Sequence, residues 1–115
     1  MKILHDVHNH NIFSNCCNDN SASTDAFVAK EVELGNKIFG LSNHIWDEGV
    51  KGASYWYSKQ TIRKAEEAKT SLAKAPASLK CLFGAESEYF HCHDRLGMSV
   101  EGAKRFDYML IPHSH

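Results

Sequence analysis

The chain has 115 residues, 43% of them hydrophobic, with 13 basic and 14 acidic side chains and a formal charge of −1. That bounds it to one modest domain, residues 1–115, with enough apolar content for a core, and leaves no electrostatic case for non-specific binding to nucleic acid or a membrane surface. No stretch approaches the ~20 apolar residues of a membrane span and no basic-then-apolar leader is present, so a cytoplasmic location is the expectation.

Eight histidines are the unusual feature. Residues 2–8 predict a buried strand that closes on the pair His8 and His10. Side chains at i and i+2 of an extended strand share a face, so both imidazoles can reach one ion. Imidazole is a common ligand for zinc and related metals, although a lone pair of this kind is as readily a surface feature. Asn9 to Ser23 is polar and long enough for a functional loop. Ser23 or Thr24 then caps a helix in which Asp25 lies near the positive end, Ala26, Phe27, Ala29, Val32 and Leu34 recur at near-helical spacing, and Gly35 is the stop.

Lys37 to Ser42 predicts a second strand, followed by His44. The segment from Trp46 to Tyr57 reads as a long loop whose rings, Trp46, Tyr55, Trp56 and Tyr57, either line a pocket or pack the loop onto its scaffold. Lys59 to Ala75 is dominated by strong helix formers, with Ile62, Ala65, Ala68 (or Lys69) and Leu72 as a narrow apolar face and Pro76 as the terminator. Leu79 to Ala85 predicts a third strand, Glu86 to Leu96 a third loop, Ser99 to Lys104 a short helix, and Asp107 to Ile111 a last strand that runs on to His113 and His115.

Strands alternating with helices argue for a parallel sheet or barrel. In that architecture sites gather at the carboxyl ends of strands, which is where His8, His10, His44, Glu86 and His115 fall. The plainer reading is histidines bonded to nearby carbonyls and a solvated Glu86. A metal centre is preferred, because a buried carboxylate among imidazoles is costly without one. His5 reads as a structural strand residue, and His91-Cys92-His93 as a surface or substrate loop rather than a second metal site. Cys16, Cys17, Cys81 and Cys92 show no disulfide pattern and are expected as thiols.

Four segments appear in the order and context of one family's motifs: Asp6 to His10 with Ser14 beyond, Gly40 to His44, Gly84 to Tyr89, and Asp107 to His115. Over residues 3–115 the chain resembles the N-terminal part of the polymerase-and-histidinol-phosphatase (PHP) family of metal-dependent phosphoesterases. The resemblance implies an α/β fold, the N-terminal portion of a distorted, TIM-like (β/α)7 barrel with about four parallel strands alternating with helices. It also implies a cluster of two or three divalent ions, zinc, manganese or iron, held by His8, His10, His44, Glu86 and His115, with Glu86 bridging two of them. For a further ligand in the first loop, Asn15, Cys16, Cys17 and Asp19 compete. Asp19 is preferred, since its oxygen suits the hard or borderline metals of a hydrolase and Cys16 would favour a soft ion.

His113 stands where the family often has a small residue and is assigned at most a contact to the ligands or the substrate; Pro112 replaces the family's usual glycine. Arg95 is the favoured phosphate contact, ahead of Lys51 and Arg63. The implied activity is hydrolysis of a small phosphomonoester, histidinol phosphate being one candidate, by a metal-activated water. The alternatives are a non-catalytic or regulatory metal-binding module of the same fold, and a nucleic-acid phosphodiesterase or exonuclease, which lacks the expected basic surface. The family's later ligands have no counterpart, so the chain is expected to be truncated after its fourth strand and inactive alone, with an open sheet edge available to a second chain.

Overall fold

Short hydroxyl side chains start the helices by accepting the first unpaired N–H groups. In the computed structural model, which describes residues 2–112, Ser23 Oγ accepts from Ala26 N at α1 (Thr24–Leu34). Thr61 Oγ1 does the same for Lys64 N at α2 (Ile62–Leu72), and Ser99 Oγ for Gly102 N at α3 (Val100–Ala103). Gly35 ends α1 at φ 75°, its amide reaching Glu31 O and Val32 O, as the sequence led one to expect.

Between the helices run β1 (His5–Asn9), β2 (Ile38–Leu41) and β3 (Lys80–Glu86), then a small hairpin of β4 (Tyr89–Phe90) and β5 (Arg95–Leu96), and finally β6 (Tyr108–Leu110). Strands β1, β2, β3 and β6 pair in that order, all parallel, into a curled sheet. Parallel neighbours require a crossover that returns the chain to the same end, and the helices supply it. The α/β class is therefore as expected.

One side of the sheet carries the core: Phe39, Leu41, Phe83 and Ala85 meet Val28 of α1 and Ile62, Ala65, Ala68 and Leu72 of α2. The α2 face is the one its spacing predicts. The α1 face is not, because Thr24, Val28 and Glu31 are buried while Val32 and Leu34 are exposed. Polar groups can turn inward here because they are satisfied: Thr24 Oγ1 accepts from Asn11 Nδ2 at 2.9 Å, and Glu31 Oε2 from Asn36 Nδ2 at 2.6 Å.

Two other expectations need correction. The first strand begins at His5, not residue 2, and is not buried: Ile3 and Leu4 are exposed, since β1 has only β2 beside it among the described residues. The segment 86–96 is not an irregular loop but holds the β4–β5 hairpin around a 3-10 turn, His91–His93.

On the other face, Tyr108 crosses the sheet. Its ring lies over Gly84 of β3 and Gly40 of β2, and its hydroxyl donates to Val7 O of β1 at 2.7 Å. Only glycine leaves room for that crossing. Burial, the largest influence, pushes the Tyr108 hydroxyl up to about 12, so it remains a donor at neutral pH.

Candidate metal centre

The carboxyl ends of β1, β2 and β3 converge on one point. His8 is in β1 and His10 lies just beyond it. His44 follows β2 and forms a parallel bridge with Glu86, the last residue of β3. Ile45 N bonds to Glu86 O at 2.9 Å and Glu86 N to Asn43 O at 3.0 Å, so pairing continues past β2 and fixes where His44 departs.

A buried asparagine pair holds the other approach. Asn11 N donates to Asn43 Oδ1 and Asn43 Nδ2 to Asn11 Oδ1, each at 2.9 Å, with both residues buried. This exchange ties the chain just after His10 to the chain just before His44. Sequence reasoning did not single out either asparagine; the only signal was their position next to the two histidines.

Glu86 Oε2 is the hub, 2.7 Å from His8 Nε2 and 3.0 Å from His10 Nε2. The Glu86 side chain is 4% exposed, whereas His8 is 60% exposed, so the group is closed beneath and open on the His8 side. Burial pushes the Glu86 carboxyl up, but the His8 hydrogen bond and the His44, His10 and His8 rings together outweigh it and hold it below the usual range. Burial lowers His10, assisted by His8 and opposed by Glu86.

The arrangement fits a divalent ion. Around a four-coordinate metal with bonds of about 2.0–2.2 Å, neighbouring N and O donors stand roughly 3.3 Å apart, a few tenths of an ångström from the 2.7 and 3.0 Å separations here. Among the described residues His10 Nδ1 is buried with no hydrogen-bond partner, a cost that an ion would remove only by coordinating Nδ1 itself. His44 Nδ1 lies 3.1 Å from the Tyr57 hydroxyl. Burial, with Glu88, Glu86 and Cys16 adding to it, pushes that phenol up, so it is neutral and can accept from Nδ1–H. Nε2 then carries the lone pair that coordination needs.

Among the described residues, two sets of three have donor atoms mutually within 4.8 Å: His8, His10 and Glu86; and His10, Cys16 and His44. The first-loop residue preferred from the sequence is Asp19. Asp19 lies outside both sets and is exposed, its Oδ1 accepting from Ser21 N and Ser21 Oγ at 2.8 and 2.6 Å. A short Asx turn has captured that carboxylate locally. Arg95 is exposed on the hairpin and donates from Nη1 to Lys51 O at 2.7 Å. His91 and His93 are exposed as well, and His113 and His115 lie outside the described residues.

The aromatic loop divides in two. Trp46 and Tyr57 pack inward, Trp46 Nε1 donating to Val50 O at 2.7 Å. Trp56 sets its ring edge-on to His44, with centroids 5.1 Å apart, and so covers one side of the centre. Tyr55 faces solvent.

Asp19→Asn and His91→Ala are each expected to leave bound zinc or manganese unchanged by elemental analysis. A large loss in either would add that residue to the ligand set. No family model, curated protein or solved structure matches the chain.

Proposed function

We propose that the chain is a metal-dependent phosphoesterase module of the PHP type, part of a distorted (β/α)7 barrel, acting on a small phosphomonoester. The observation that carries this is the convergence of His8, His10, His44 and Glu86 at the ends of three parallel strands, in the order of the family's motifs. The acceptor oxygen shared by two imidazoles supports Glu86 as the central ligand.

Divalent ions in such a site supply a water of lowered pKa and neutralise charge on the phosphoryl oxygens. The chain's own residues do the rest. Glu86 contributes a negative charge that offsets cationic repulsion, and the asparagine pair holds His10 and His44 in register. Trp56 limits water on one side, leaving the exposed edge of His8 as the approach for phosphate.

The test loads the chain with zinc or manganese and titrates it with inorganic phosphate while following p-nitrophenyl phosphate hydrolysis. Retained metal with phosphate binding, both lost to a chelator, supports the proposal, and hydrolysis beside them would overturn the expectation that the chain is inactive alone. Retained metal with neither replaces it by the metal-binding module without turnover, and no retained metal overturns both.

A further inference from the structure

We propose that Cys16, His10 and His44 form a sulfur-containing metal position that selects zinc-class ions, an inference that rests on the metal-centre reading above. The three donor atoms lie mutually within 4.8 Å. A tetrahedral ion with Zn–N of about 2.0–2.1 Å and Zn–S of about 2.3 Å needs donor separations of roughly 3.3–3.6 Å. Of the three side chains Cys16 is the exposed one, and so the one with room to adjust. His10 and His44 are already stacked, with ring centroids 4.4 Å apart.

The first loop is built to present this sulfur. Ser14 is buried, its N donating to Asn11 O at 2.8 Å while its carbonyl accepts from Cys17 N at 3.0 Å. Asn15, next to the cysteine, is pinned from two sides: its N donates to Gln60 Oε1 at 3.2 Å, and its Oδ1 accepts from Lys64 Nζ at 2.9 Å. Cys16 is thus an exposed side chain on an anchored backbone, with Sγ 3.2 Å from Ser14 Oγ. Once the sulfur is a thiolate, the Ser14 hydroxyl can donate to it, the kind of outer hydrogen bond that orients a ligand. The adjacent Cys17 is directed elsewhere, its Sγ 3.7 Å from Asp19 O.

The donor chemistry then sets the metal. Two imidazoles and a thiolate favour zinc, cobalt or ferrous ion over manganese and magnesium, which prefer oxygen. Three protein donors with a solvent-exposed side also match the pattern that keeps a fourth position open. A site completed by Asp19 would have been less selective, since two imidazoles and a carboxylate take zinc as well as iron or manganese.

The experiment uses the whole chain, kept reduced with a phosphine, and Co2+ as the probe. A near-ultraviolet thiolate-to-cobalt charge-transfer band is expected, lost in Cys16→Ser and retained in Cys17→Ser. Zinc affinity in Cys16→Ser should fall by more than the roughly 10–100-fold that loss of an outer partner costs, with manganese affinity nearly unchanged. A second readout needs no variant: zinc should slow alkylation of Cys16 but not of Cys17, mapped by mass spectrometry. Cobalt bound without the band, or a band that survives Cys16→Ser, overturns the sulfur position and leaves the His8–His10–Glu86 centre standing. No cobalt bound overturns both.

Discussion

Glu86→Ala should strip the centre of metal and abolish any metal-dependent phosphate binding in the same preparation. The residue offers the one oxygen that both His8 and His10 approach, and no other described carboxylate belongs to either donor set. Metal affinity should drop by more than the roughly 10–100-fold typical of an outer-partner loss. Glu86→Gln separates charge from shape, since it keeps the volume and removes the anion. In the metal-free chain the sign is also fixed. A carboxyl held below its usual range lends stability above the ordinary carboxylate pKa and loses it as pH falls through the lower folded value. Glu86→Gln should therefore flatten the acid limb of a melting-temperature profile. If Glu86→Ala kept its metal and its phosphate binding, the centre would be wrongly assigned.

Gly84→Ala should be a strongly damaging change in the sheet. A methyl there would fall inside the Tyr108 ring, and the ring has little freedom to yield because its hydroxyl is fastened to Val7 O. Overpacking of this kind costs about 1–3 kcal/mol, equivalent to a melting-point loss on the order of 5 °C for each kcal/mol at this size. Tyr108→Ala in the same chain removes the overlap, so the double variant should lose much less than the two single changes combined. A Gly84→Ala protein that melts like the parent would mean the ring does not lie over β3.

Much of this architecture is legible from the sequence because it depends on local signals. The hydroxyl caps, the Gly35 stop and the α2 apolar face are written within a few residues of where they act. The strand-end histidines and Glu86 are legible for a related reason: parallel strands gather their carboxyl ends at one side. What could not be read depends on partners far along the chain. Thr24 and Glu31 turn inward only because Asn11 and Asn36 meet them. Asp19 lies outside both donor sets because Ser21, two residues on, holds its carboxylate, while Gln60 and Lys64 fasten the loop beside Cys16.

The tether from Tyr108 to Val7 spans 101 residues, which gives the molecule a history as well as a shape. A chain made at about 5–20 residues per second completes β1 roughly 5–20 s before its anchor exists. Through that interval the strand bearing His8 lacks this tether and rests on its ladder to β2 and the His8–Glu86 contact to β3, and contacts of such sequence separation are the slow ones in folding. The final fastening of the strand that bears His8 therefore waits on β6.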